Sequence, residues 1–158
     1  MEEKELLLND IVQIDLSSYA KCFDQINTEG WKYFLFHYDC KETFVCVCRI
    51  DAIDSVSHFL AGAHKIFLSK YEMHGEKTKE VASVFEGDMN ESIAKARLMD
   101  PGIVEKRLIY CIGDKNLSYL HIDMSSEYVK EAIFYGSNDD QFLFVLNGEL
   151  YYVDYYPG

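Results

Sequence analysis

The period of hydrophobic positions changes several times along this chain, and each change predicts an element. WKYFLFHY (31–38) and TFVCVCRI (43–50) are dense in aromatic and β-branched residues and read as strands. Asp39-Cys40-Lys41-Glu42 between them predicts a four-residue turn, which sets Leu35 opposite Cys46 and Tyr33 opposite Cys48. The other face then carries Phe34, Phe36, Val45 and Val47. With both faces apolar, this hairpin is expected at the centre of a sheet covered on both sides.

QFLFVL (141–146) and ELYYVDYY (149–156) flank Asn147-Gly148. Asn-Gly favours a type I′ turn, in which both central residues need positive φ. That turn fixes the register: Leu146 opposite Glu149, Phe144 opposite Tyr151, Phe142 opposite Val153 on one face, and Val145 opposite Leu150, Leu143 opposite Tyr152, Gln141 opposite Asp154 on the other. Both faces carry large apolar groups, so either a helix or a partner must cover the second. KRLIYCI (106–112) and LSYLHID (117–123) around Gly113–Asn116 predict a further hairpin.

Period 3.6 marks the helices. Tyr19, Cys22, Phe23 and Ile26 share one face of a helix capped by Ser17 or Ser18 and ending near Asn27. Asp54 caps a second helix over Ser55–Ala63, with Gly62 near its end. Asp88 and Glu91 form a capping box before MNESIAKARLM, which Asp100-Pro101-Gly102 stops. Ser125 caps a helix over 126–135 with Tyr128, Val129, Ala132 and Ile133 inward, the predicted lid of the C-terminal hairpin. IVQID (11–15) reads as a weak first strand, and HKIFLSKYEM (64–73) shows no helical stripe and is assigned to a strand. Hairpins mixed with three to four packed helices predict an α+β fold, with a mainly antiparallel sheet built from 31–50, 106–123 and 141–156. Residues 1–158 are expected to form one globular domain.

Charge changes the picture more than composition does. Fifteen bases against 27 acids leave a net charge of −12. Half of it falls after residue 120, where Lys130 is the sole base among Asp123, Glu127, Glu131, Asp139, Asp140, Glu149 and Asp154. Such a field repels nucleic acid and anionic membrane and attracts cationic proteins, besides keeping the chain soluble. No apolar run reaches the roughly 18 residues that span a bilayer. The acidic start MEEKELLLND lacks the features of a secretory signal, and five cysteines without a disulfide pattern suit a reducing compartment, so a cytoplasmic location is expected.

Candidate chemistry is sparse. Cys46 and Cys48 share a strand face near Cys40 and His37, but zinc knuckles place their thiols in turns, and a buried reduced pair is expected, with no metal and no cofactor. Cys111 and His121 would face each other across the second hairpin, the arrangement of an activated thiol, and His121 with Asp123 would share a strand face. Both pairs also read as ordinary packing. There is no nucleophile elbow and no glycine-rich phosphate loop.

The sequence therefore points to a non-enzymatic acidic binding protein that neutralises a basic protein partner. An immunity protein that blocks a nucleic-acid-cleaving toxin has this character of small size, acidity and many tyrosines, twelve here. Its carboxylates would stand where substrate phosphates bind. The expected partner surface is Asp123, Glu127, Asp139, Asp140, Glu149, Tyr152, Asp154 and Tyr156. Two alternatives remain. One is a phage or viral nucleic-acid mimic that inhibits a host DNA-binding protein. The other is a small enzyme or ligand-binding domain whose aromatic pocket is lined by Tyr19, Tyr33, Tyr71, Tyr110 and Tyr119. An exposed C-terminal strand would offer an edge to a second copy.

Overall fold

A computed structural model describes residues 19, 21, 23, 25–70, 95–120, 129–135 and 141–157. Its elements are β1 (Lys32–Tyr38), β2 (Lys41–Arg49), α1 (Val56–Lys70), β3 (Arg97–Leu98), α2 (Val104–Ile112), β4 (Val129–Phe134), β5 (Gln141–Leu146) and β6 (Glu149–Pro157), with 3-10 turns at Ile50–Ala52, Pro101–Ile103 and Asp114–Leu120. The strands form a six-stranded sheet in the order β1-β2-β6-β5-β4-β3, every pair antiparallel. The fold is α+β, as the patterning predicts.

The C-terminal hairpin has the expected register throughout, from Leu146 opposite Glu149 to Gln141 opposite Asp154. Asn147 and Gly148 take φ of 52° and 76°, which is the type I′ requirement. The hairpin lies inside the sheet, with β6 between β2 and β5, so the C-terminal strand is not an edge. That placement explains its two apolar faces. On one face, α1 and the helical residues Tyr19 and Phe23 pack over Leu143, Val145, Leu150 and Tyr152. On the other, α2 and the 3-10 turn after it pack over Phe142, Phe144, Leu146, Tyr151 and Val153. Helices thus cover both faces of the strands in three layers.

Four expectations fail for identifiable reasons. The segment 129–134 is a strand beside β5, not the lid helix predicted over 126–135. A bulge between Val129 and Glu131 turns Val129 and Ala132 to the same face, so a strand shows the i, i+3 spacing of a helix. Conversely, 106–112 is helix and Asp114–Leu120 is a 3-10 turn, so the hairpin predicted over 106–123 does not form. Its buried stripe is Val104, Leu108, Cys111 and Ile112, and it begins two residues before the window that was read as strand. Asp100 accepts from the Gly102 amide and Pro101 opens the 3-10 turn that leads into α2.

The third concerns 64–70, which continues α1 and is not a strand. Val56, Phe59, Leu60 and Ala63 are buried, with Phe67 half-buried one turn further, a helical stripe that runs through Gly62. The fourth is the N-terminal hairpin. Asp39 and Cys40 both take positive φ, 51° and 62°, and make a two-residue turn where four residues were expected. Lys41 and Glu42 join the ladder, and Leu35 faces Phe44 while Tyr33 faces Cys46. A two-residue slip preserves the faces, so the side-chain partition predicted for this hairpin stands. Its position does not: β2 is buried, but β1 is the edge of the sheet among the described residues. The strand predicted at 11–15 and the capping box at 88–91 lie outside the described residues, but the helix predicted over 89–99 does not reach its expected end, because Arg97–Leu98 is a strand paired with β4.

Candidate functional site

The described residues enclose a cleft of about 840 Å³ at the end of the sheet where β2 stops and β6 starts. The Asn147-Gly148 turn forms one wall, and the Ile50 amide donates to the Gly148 carbonyl at 2.9 Å, tying the 3-10 turn at 50–52 to it. The opposite wall is the loop before β1. There Asn27 Oδ1 accepts from the Glu29 amide at 2.9 Å and the Trp31 amide donates to the Thr28 carbonyl at 3.0 Å. Val47 and Cys48 also line the cleft.

The cleft's charged groups are Glu29, Lys32, Arg49, Asp51 and Glu149. Arg49 grips Asp51 through both forks, Nε to Oδ1 at 3.0 Å and Nη2 to Oδ2 at 2.6 Å. These hydrogen bonds hold the Asp51 carboxyl below its ordinary range. Lys32 Nζ lies 3.6 Å from Glu149 Oε2. Each base is matched to an acid, and Glu29 is the acid in excess. Cys48 is poorly suited to nucleophilic work, since burial first and Glu149 second push its thiol up to about 11.

Of the eight residues expected to form the partner surface, Glu149 is the one that lines this cleft among the described residues. Asp123, Glu127, Asp139 and Asp140 lie outside the described residues, as does the side chain of Tyr156. Tyr152 and Asp154 require correction: they are 1% and 6% exposed and belong to the core. Both side chains turn to the face covered by α1. Tyr152 Oη donates to Asp154 Oδ2 at 3.0 Å, and Gln141 Nε2 lies 3.1 Å from the hydroxyl and 3.2 Å from the carboxylate. The predicted Gln141–Asp154 pair thus serves to satisfy a buried carboxylate. The alternation alone could not separate a covered face from an exposed one.

A second buried polar contact adjoins it. Tyr19 Oη and His64 Nδ1 are 2.7 Å apart, and the His64 ring meets Tyr152 edge-on at 5.7 Å. His64 is buried in the core, and burial lowers its pKa to about 3.

The other candidate pairs do not assemble. Cys111 is buried on α2, not on a strand, and His121 and Asp123 lie outside the described residues. Cys46 is also buried, and desolvation, reinforced by Cys48, raises its pKa. Among the described residues no three of His, Cys, Asp and Glu stand together as metal ligands, and no helix is long and apolar enough to cross a membrane. Tyr19 packs on one side of the sheet, and Tyr110 stacks edge-on with Tyr155 on the other, so the five tyrosines do not line one pocket. Of the four described cysteines only Cys40 is exposed. Iodoacetamide at neutral pH is expected to label Cys40 and spare Cys46, Cys48 and Cys111, read by peptide mass spectrometry. Labelling of Cys111 at the rate of Cys40 would restore it as a nucleophile.

No protein-family model matches the chain, and neither a curated protein nor a solved structure matches it.

Proposed function

We propose that the chain is a non-enzymatic binding protein that neutralises a basic protein partner, in the manner of an immunity protein against a nucleic-acid-cleaving toxin. The observation that carries this reading is the acidic cleft on a chain of net charge −12. Its two cations are already engaged by Asp51 and Glu149, which leaves Glu29 to receive a third. An incoming arginine or lysine would also compete with Lys32 for Glu149, whose ion pair is partly exposed and therefore weak. Electrostatic steering by the whole chain would speed the encounter, and the cleft would fix its geometry. The partner surface is accordingly centred on Glu29, Asp51 and Glu149. Tyr152 and Asp154 support it from the core without touching the partner.

The test is an affinity pull-down from the native source at low salt, repeated with a Glu29→Lys/Glu149→Lys variant. The expected result is a single stoichiometric basic protein, released by high salt, whose nuclease activity is lost in the complex. The double reversal should weaken binding by about tenfold or more. A partner held equally by the variant, or unmoved by salt, would remove the cleft from the interface.

A further inference from the structure

We propose that the cleft receives an arginine side chain of the partner, its guanidinium laid on the Trp31 indole and held by Glu29. This rests on the reading of the cleft as the partner surface and names the group that enters it. The inference starts from how the indole is held. Trp31 stacks on the buried ring of Phe59, with centroids 5.7 Å apart and planes at 24°. Its Cη2–Cζ3 edge is seated against Gly62, where even a methyl group would collide with it. The His58 ring meets it at 6.1 Å and 60°, and Nδ1 of that ring accepts from the Asp54 amide at 2.9 Å. These contacts fix the indole before any ligand arrives, and the half-buried residue lines the cleft. A rigid aromatic wall loses little conformational entropy on binding.

Glu29 is carried on the same turn. The Trp31 amide donates to the Thr28 carbonyl at 3.0 Å and closes a turn whose third residue, Gly30, has a φ of 87°. Glycine is favoured there because side chains rarely accept positive φ. Asn27 Oδ1 accepts from the Glu29 amide at 2.9 Å and pins the start of the turn. A carboxylate and an indole thus stand two residues apart on one braced turn, and both line the cleft. A cation is attracted by both groups, by the ring quadrupole and by the charge. The cleft's own cations are turned to other partners, Arg49 to Asp51 and Lys32 to Glu149.

Arginine suits this arrangement better than lysine for two reasons. A guanidinium is planar and weakly hydrated, so it stacks on an aromatic face, whereas an ammonium holds its water. Its fork also reaches a carboxylate through two parallel hydrogen bonds while the plane stays on the ring. At about 840 Å³ the cleft has room for the whole side chain and the backbone that carries it.

Trp31 is the only tryptophan, so the platform reports on itself. The test titrates the full chain at low salt with a capped Gly-Arg-Gly peptide, its lysine counterpart and its citrulline counterpart, which has the shape of arginine without the charge. Indole emission and heat are read together. The arginine peptide should give a saturable change in emission, with half-saturation at about fivefold lower concentration than the lysine peptide. The citrulline peptide should give none. Glu29→Gln, at an exposed position, should weaken the arginine peptide by about fivefold and leave the emission of the peptide-free chain unchanged. Equal affinity for arginine and lysine, heat without a change in emission, or no binding of the arginine peptide overturns the proposal. Beside a basic protein that the wild-type chain retains and Glu29→Lys/Glu149→Lys releases, any of these results removes the arginine assignment alone. The expected arginine response without any basic protein in the pull-down keeps the assignment and removes the neutralising role.

Discussion

Gly62→Ala is expected to destabilise the protein by about 1–3 kcal/mol, although the same change inside most helices gains about 1 kcal/mol. Gly62 lies in the middle of α1, where alanine has the better intrinsic propensity. A methyl group there would overlap the Cη2 and Cζ3 atoms of Trp31 and come within 2.9 Å of Ile26 Cδ1. Trp31 is stacked on Phe59, with ring centroids 5.7 Å apart and planes at 24°, and it has little freedom to yield without leaving that stack. Overpacking therefore outweighs propensity. Trp31 also lines the cleft, and it is the only tryptophan in the chain. Its emission should shift to the red in the variant as the indole moves towards water. Denaturant unfolding and a fluorescence spectrum check both effects. A variant as stable as the wild type or more so, with unshifted emission, would show that the indole does not rest on this glycine.

The same glycine illustrates what the sequence did and did not disclose. Near the end of a short apolar stripe, Gly62 read as a helix stop, because glycine serves that role by adopting positive φ. Its actual role is to admit an indole from 31 residues earlier in the chain, which no local pattern contains. Strands and turns whose chemistry is local were legible. Asn147-Gly148 dictated its turn and, through it, every pair of the C-terminal hairpin. The α+β class followed as well. Segments whose hydrophobic spacing satisfied two periods were misread in both directions. The bulge in β4 made a strand look helical, and the dense Leu108-Ile109-Tyr110 run made α2 look like a strand. Of the candidate site, only Glu149 was legible, because acidity can be counted while burial depends on which layer lands on which face. The alternation of Tyr152 and Asp154 suits a surface strand as well as a covered one, because nothing local announces α1 above them. Glu29, Arg49 and Asp51 were missed because the cleft joins three segments distant in sequence, and no spacing rule connects them.

Acid should weaken this fold through His64. Unfolded, a histidine titrates near 6.5; in the folded chain, burial lowers the pKa of His64 to about 3. Between these values the unfolded chain binds a proton that the folded chain refuses, so stability falls as pH drops. The contribution is intact above about pH 6.5, and roughly 2 kcal/mol of it is lost between pH 7 and pH 5. The loss continues towards pH 3. Among the described residues the ring meets the Tyr19 hydroxyl at 2.7 Å and the edge-on ring of Tyr152. Asp154 is one hydrogen bond beyond, held by the Tyr152 hydroxyl. Other carboxylates also titrate in this range, so the informative quantity is a difference between proteins. His64→Gln keeps a polar group within reach of Tyr19 and removes the titration. Its stability between pH 7 and pH 5, measured by urea unfolding, should fall by about 2 kcal/mol less than that of the wild type. Equal falls in the two proteins would mean that His64 takes up its proton as readily folded as unfolded, and that its side of the core is open to water.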